Sequence, residues 1–422
     1  MGIPFYFATL IKNHVGICSS VIEKQYVDFF GIDFNCLIHQ YLNDDDPINS
    51  VINALQHILD HICTGNTVYI AMDGLVPYGK MVQQRYRRFK IKEESGFDRN
   101  QISPDTPYMR ELEQKIRSKF PTIILSTTQE PGEGEHKIFN ELRKKERQSV
   151  CVYGLDADLI LLSMFNSSSN FTLLRESTEF NDKSSEFTLL SIPKLIEQLP
   201  IPLEQYLHLC VLCFGNDFMP NIGMFSLRED GYSRALDIYN KVNPDLTTEE
   251  GRHLFLSFSK SKEIDVLQER IKLRRRPYEK AILGKHVETF SKKYGLHILD
   301  GVDNMEPVVE AFWKTYHWTI HYFKTNEVYN WEWYYPYPDA PLVQDIIEYY
   351  ESSPDKSELK YNITNQLQFI LPSKSLRKSK RRVLFQDEYY SDTRLQWMKR
   401  HDWETKPYMS LPSANVTSVS LL

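Results

Sequence analysis

The chain holds no apolar run approaching the roughly 18 residues a membrane-spanning helix needs. Its N-terminus lacks the charged start and long apolar core of a signal peptide. Met-Gly opens the chain, but Tyr6 stands where N-myristoylation wants Ser or Thr, so no membrane association is expected. Cysteine is sparse and scattered, as Cys18, Cys36, Cys63, Cys151, Cys210 and Cys213, which fits reduced intracellular thiols rather than a disulfide framework. Cys210 and Cys213 form a C-x-x-C without a second pair and in an apolar helical setting, so they read as core residues and not as half of a zinc site. A basic excess is missing too. The net charge is -6, so a polyanionic partner must be held by a local patch.

With 422 residues, 41% of them hydrophobic and 25% charged, the chain is long enough for two domains or for one large core with an appended lobe. Its acids fall in a pattern. Glu133 and Glu135 lie in Glu-Pro-Gly-Glu-Gly-Glu-His (130 to 136), and Asp156-Ala-Asp158 follows the apolar run Val150 to Leu155, where a buried strand should give way to the helix Leu159 to Met164. Asp33 falls in the apolar run Phe29 to Asn35. Asp73 closes Val68 to Met72, and Asp217 follows Leu209 to Phe214 in Gly-Asn-Asp-Phe. Each acid alone reads equally well as a turn former or helix cap. Seven of them at five element ends point to a site, because open α/β sheets place ligands at the carboxyl ends of strands. Carboxylates gathered there repel one another unless a cation holds them. Magnesium, a hard ion that takes a few carboxylates plus water and phosphate, is the natural candidate.

The order of elements supports that geometry. Helical spacing over residues 51 to 63 precedes the strand at Val68, a helix over about 107 to 119 precedes a strand at Ile123 to Ser126, and the alternation continues to Phe171 to Leu174. This predicts an α/β fold with a mainly parallel sheet covered by helices. Seven residues after Asp73 begins a segment with six cations and no acid, Lys80, Arg85, Arg87, Arg88, Lys90 and Lys92. Read as a helix, Lys80, Gln84, Arg87 and Arg88 share one face. Such a face is either a solvated basic surface or a cradle for a terminal phosphate, and its place beside a strand-end acid favours the cradle.

These pieces recur together and in this order in one family. The sequence resembles the XRN-type 5′→3′ exoribonucleases, relatives of the flap-endonuclease and PIN-like nucleases, in Met-Gly-Ile-Pro (1 to 4), Asp-Phe-Asn-Cys-Leu-Ile-His (33 to 39), Met-Asp-Gly-Leu-Val-Pro (72 to 77), Lys-Met-Val-Gln-Gln-Arg-Tyr-Arg-Arg-Phe (80 to 89), Pro-Gly-Glu-Gly-Glu-His-Lys (131 to 137), Tyr-Gly-Leu-Asp-Ala-Asp-Leu-Ile (153 to 160) and Gly-Asn-Asp-Phe-Met-Pro (215 to 220). The resemblance implies that Asp33, Asp73, Glu133, Glu135, Asp156, Asp158 and Asp217 are the catalytic, metal-binding acids. It implies a 5′-phosphate pocket of Lys80, Gln84, Arg87 and Arg88, and base stacking by His39 and by Trp331 or Trp333. Two magnesium ions, roughly 3.5–4 Å apart, are implied, with manganese as an expected substitute.

Beyond about residue 227 the composition changes. Residues 241 to 280 are polar and end in a basic stretch, and 12 of the 28 residues from 311 to 338 are aromatic. Trp-Glu-Trp-Tyr-Tyr-Pro-Tyr (331 to 337) and Gln366 to Ser373 resemble the family's second conserved region. The expected organisation is a catalytic domain over 1–272, a smaller helical, aromatic-rich second region over 273–409 closing over the active site, and a loose tail over 410–422. Six cations in nine residues, Lys374 to Arg382, read as an exposed basic loop, or else as a nuclear localisation signal or RNA contact. The resemblance implies a monomeric, cytoplasmic enzyme of mRNA decay, with the nucleus as the alternative compartment, acting processively on single-stranded RNA with a 5′-monophosphate. The alternatives are a structure-specific DNA flap nuclease or 5′ exonuclease and a non-catalytic RNA-binding protein.

Overall fold

The computed structural model describes residues 2–90, 96–166, 170–177, 186–273, 289–299 and 301–389. Lys92, part of the polar stretch before 280 and the tail expected from 410 lie outside the described residues. Among the described residues no helix is long and apolar enough to cross a membrane.

A seven-stranded sheet organises the first half of the chain. Its strands are β1 (Cys18–Ser20), β2 (Gln25–Asp33), β3 (Cys63–Ala71), β4 (Ile124–Ser126), β5 (Val150–Tyr153), β6 (Phe171–Glu176) and β7 (Phe187–Ser191), in the spatial order β1-β7-β6-β5-β2-β3-β4. The five strands from β2 to β6 run parallel, as the alternation in the sequence predicts. β1 and β7 add an antiparallel edge that the sequence reading did not include. Helices cover both faces, so the central strands are apolar on both sides. Period-two alternation splits them between two cores: Phe29, Val150 and Val152 pack on one face, while Phe30, Ile32, Cys151 and Tyr153 pack on the other.

The later part of the chain is helical and packs directly onto the sheet-bearing half. Helix Glu306–Thr325 lies against helices Leu203–Phe214 and Asp158–Phe165, and its aromatic side chains join the larger core. Helix Ile363–Ile370 lies against helix Tyr78–Phe89 and closes a smaller core with Leu75, Val76 and Met81. Cys210 and Cys213 are buried in the first core, as expected. In the polar stretch after 241, residues Glu249–Leu273 form one continuous helix. One expectation is corrected. The basic run at 374 to 382 is not simply a loop: Ser373–Lys378 is helical, with Leu376 buried beneath it. Two of its cations are tied down, Lys378 to Asp98 at 3.5 Å and Arg381 to Asp105.

Candidate active site

Four adjacent parallel strands deliver acids to the same edge of the sheet. Asp33 is the last residue of β2, and Asp73 follows β3 by two residues. Glu133 and Glu135 follow β4 at the start of helix Gly134–Leu142, and Asp156 and Asp158 follow β5 at the start of helix Asp158–Phe165. Asp217 arrives from outside the sheet, in the turn after helix Leu203–Phe214. The seven carboxylates predicted from the sequence therefore share one site, and each strand end supplies what a continuous chain segment could not.

Burial makes the cluster electrostatically costly. Glu133 is 3% exposed and Asp158 2%. Burial and the neighbouring Asp73 push Asp33 up to about 8, and burial with Asp217 and Asp156 pushes Asp158 up to about 7. Burial and then Asp158 lift Glu135 well above the usual carboxylate range. Glu135, Asp156 and Asp158 each bring an oxygen within 4.8 Å of the others. Oxygens of Glu135 and Asp158 are also buried without a hydrogen-bond partner. Hard, negatively charged, unsatisfied oxygens at this spacing fit a divalent cation.

Among the described residues, a lysine enters the cluster. The Lys80 ammonium lies 2.5 Å from Glu133 Oε2 and 2.9 Å from Asp217 Oδ2. Burial works against its charge, but Asp217 and Glu133 keep it protonated. Burial would likewise raise Asp217, yet Lys80 holds that carboxyl well below its usual range. Lys80 opens the helix Tyr78–Phe89, and the predicted face continues along it. Gln84 is buried with its side-chain oxygen unpartnered. Arg87 reaches to 3.9 Å from Asp217 with its side chain 42% exposed. Arg88 is held by the carbonyls of Gln84 and Ile102 and by Ser103 Oγ. Arg85, on another face, is spent on packing: its guanidinium lies over Phe89 and Phe369.

The expected stacking residues are placed differently from one another. His39 stands exposed at the end of helix Phe34–Ile38, within the fields of Asp73, Arg87 and Arg88. Trp333 is half-buried, its indole N–H donating to Thr315 Oγ1 at 3.0 Å. Trp331 is half-buried against Tyr361, and its carbonyl accepts from the Tyr78 N–H. Trp331 thus supports the helix that carries Lys80, while the Trp333 side chain is anchored on helix Glu306–Thr325.

Residues that the sequence did not single out complete the site. The Tyr322 hydroxyl donates to Glu133 Oε1 at 2.8 Å, and its ring stacks on His136 with centroids 3.8 Å apart. Burial, then Lys80, lowers His136 to about 3, so that ring is neutral. The Lys137 ammonium donates to the carbonyls of Met72 and Thr127 at 2.7 and 2.8 Å, tying the ends of β3 and β4 together. Gly2 packs so closely on Asp158 that a Cβ there would stand 2.3 Å from Oδ1, which gives the Met-Gly start a steric role.

The family model described as "XRN 5′-3′ exonuclease N-terminus" matches residues 1–96 and 90–177, a span that contains six of the seven acids and the basic helix. The chain is similar to that family over this span. It is 29% identical over 319 residues to 5′-3′ exoribonuclease 1 of Schizosaccharomyces pombe, covering 58% of this chain and 24% of that protein. It is 26% identical over 365 residues to 5′-3′ exoribonuclease 2 of Candida glabrata, covering 59% and 36%. The human 5′-3′ exoribonuclease 1 is 27% identical over 321 residues, covering 58% and 19%. The chain thus matches well under half the length of each of these relatives. Among solved structures, the catalytic core of Rad2 in complex with DNA substrate is similar with a TM-score of 0.43 at 15% identity, covering 78% of this chain and 87% of that one. The flap endonuclease-1 of Methanococcus jannaschii is similar with a TM-score of 0.33 at 17% identity, covering 55% and 78%.

Proposed function

We propose that this chain is a magnesium-dependent 5′→3′ exoribonuclease that removes nucleoside 5′-monophosphates one at a time from single-stranded RNA bearing a 5′-monophosphate. The observation that carries the reading is the junction at Lys80, where the buried acid cluster meets a helix face of Gln84, Arg87 and Arg88. Such a junction sets a terminal phosphate a fixed distance from the acids. Relatives named as 5′-3′ exoribonucleases support the same reading.

Asp33, Asp73, Glu133, Glu135, Asp156, Asp158 and Asp217 would hold the metal, and bound magnesium would supply an activated water and charge stabilisation for the leaving oxygen. The basic helix binds the 5′-phosphate and orients the first internucleotide phosphate over the acids. Attack of water on that phosphorus breaks its bond to the 3′ oxygen. The departing nucleotide keeps its 5′-phosphate, and the shortened RNA carries a new one. Each cut therefore regenerates the group that Arg87 and Arg88 recognise, which makes processive action chemically consistent. His39, with Trp331 or Trp333, would steady the bases by stacking, a contact worth roughly 1–3 kcal/mol per base. Action as a monomer in cytoplasmic mRNA decay belongs to the same proposal.

The test is digestion by the full chain of one RNA sequence with a 5′-phosphate, the same RNA with a 5′-hydroxyl, and the matching single-stranded and flap DNA, with magnesium and then with EDTA. Release of mononucleotides from the 5′-phosphorylated RNA, abolished by EDTA, is expected. Preferential cutting of the DNA flap would replace the proposal with a flap nuclease, and binding without cleavage would make the chain an RNA-binding protein.

A further inference from the structure

Gln366 is fully buried, 290 residues away in sequence from the loop it touches. It lies on helix Ile363–Ile370 of the second region. Its side-chain oxygen accepts the Val76 N–H at 2.9 Å, and its amide nitrogen donates to the Gly74 carbonyl at 3.2 Å. One amide thus spans Leu75 and satisfies backbone groups on both sides of it. Tyr361 adds a third tie, its hydroxyl donating to the Val76 carbonyl at 3.1 Å and to that of Trp331 at 2.9 Å. The loop so held begins at Asp73.

That loop does not move alone. The Gly74 N–H donates to the Gly132 carbonyl at 2.9 Å, and the Gly132 N–H donates to the Leu75 carbonyl at 2.7 Å. The packing is so close that a Cβ on Gly74 would stand 1.9 Å from the Glu130 carbonyl oxygen. Asp73 Oδ1 accepts the Gly134 N–H at 2.8 Å, between Glu133 and Glu135. The segments that present Asp73, Glu133 and Glu135 are therefore one cross-bonded body. Within that body, both side-chain hydrogen bonds of Gln366 go to backbone groups.

We infer that Gln366 is a positioning residue through which the second region sets the spacing of the acid cluster and hence its affinity for divalent metal. The inference rests on the proposed metal-dependent function. Groups that orient metal-binding carboxylates from behind typically change metal affinity or activity by 10–100-fold when removed. Methionine has nearly the length and volume of glutamine but neither donates nor accepts here, so Gln366→Met removes both ties while leaving the site filled.

The measurement is manganese binding to the RNA-free full chain by calorimetry, alongside the magnesium concentration that half-saturates RNA hydrolysis and the melting temperature without metal. Gln366→Met is expected to weaken manganese binding at least tenfold and to raise the half-saturating magnesium by a similar factor. Tyr361→Phe, which removes only the third tie, should shift both in the same direction by a smaller factor, and it carries the test should Gln366→Met fail to fold. A merely structural role would lower the melting temperature and leave both metal dependences at wild-type values, and that result in the folded variants overturns the inference. Failure of wild type to hydrolyse RNA while still binding manganese in a Gln366-dependent way would instead overturn the proposed activity and leave the positioning role standing.

Discussion

Tyr322 reaches from the second region to donate its hydroxyl to Glu133 Oε1 at 2.8 Å, opposite the Lys80 ammonium that pairs with Oε2. A carboxylate with both oxygens engaged is fixed in orientation as well as in place. Tyr322 is itself held, stacked on His136 and packed edge-on against Phe218. The second region thus supports the acid cluster directly as well as covering the helix that leads into it.

Tyr322→Phe keeps that ring in its slot and removes one hydrogen bond to an ionised group. The expected outcome is a fall in RNA hydrolysis of about tenfold, within the range typical for lost support of a metal ligand, with RNA binding in EDTA unchanged. Single-turnover rates and a binding isotherm check it. An unchanged rate would mean that the ring, and not the hydroxyl contact, is what matters.

Asp158→Ala removes a carboxylate that is crowded by Asp156 and Asp217. Hydrolysis should be abolished, because three of the closest oxygens become two. Without metal the fold should be retained or even gain stability, since the variant relieves a buried repulsion. Melting curves in EDTA and initial rates in magnesium decide this, and near-normal turnover would remove Asp158 from the site.

The acid cluster was legible in the sequence because its seven members fall at five element ends, and β2 to β5 are neighbours, so local signals add up in space. The antiparallel edge was not. β1 is three residues long, and β7 follows a stretch without strand periodicity, so pairing between them depends on tertiary contact. Tyr322 and Gln366 were hidden for another reason. Tyr322 sits among aromatic residues whose helical spacing reads as core, and most of them are core. Only a contact 189 residues long distinguishes it. Lys80 was predicted to face phosphate. Its ammonium lies between two carboxylates, a contact that could not be read from periodicity, which fixes a helical face but not what that face meets.

The Arg87 and Arg88 pair supplies a prediction about substrate ends. A phosphomonoester carries close to two charges at neutral pH and a hydroxyl none. Charge-assisted hydrogen bonds contribute about 1.5–3 kcal/mol each, so two contacts favour a phosphorylated end by a few hundredfold or more at roughly 1.4 kcal/mol per factor of ten. Arg87→Ala with Arg88→Ala should bring the ratio of initial rates on 5′-phosphate and 5′-hydroxyl RNA close to one. A variant that loses absolute rate at an unchanged ratio would show that these arginines attract the backbone generally.

Glu263 offers a stability test far from the acid cluster. It is 1% exposed on helix Glu249–Leu273, and its two oxygens accept the Val343 and Gln344 N–H groups at 2.8 and 3.2 Å. Burial pushes its carboxyl up to about 8 despite those bonds. Nearby Asp345 is pushed up to about 6, also by burial, while accepting from Ser291. The folded chain therefore holds the Glu263 proton at pH values where the unfolded chain, with an ordinary carboxyl near 4.5, has released it. Between those two values the folded state binds more protons, so stability falls as pH rises toward 8. Glu263→Gln has no proton to lose there. It should cost little at pH 5, where the protonated carboxyl it replaces also offers one full acceptor to the two N–H groups, and its stability relative to wild type should rise by pH 8.5. Taking the difference in melting temperature at each pH cancels the acid cluster, which titrates in both proteins, and Asp345, whose charge acts on Glu263, is neutralised in both as Asp345→Asn. A difference that stays constant from pH 5 to 8.5 would mean that Glu263 remains ionised throughout and that its two backbone bonds outweigh its burial.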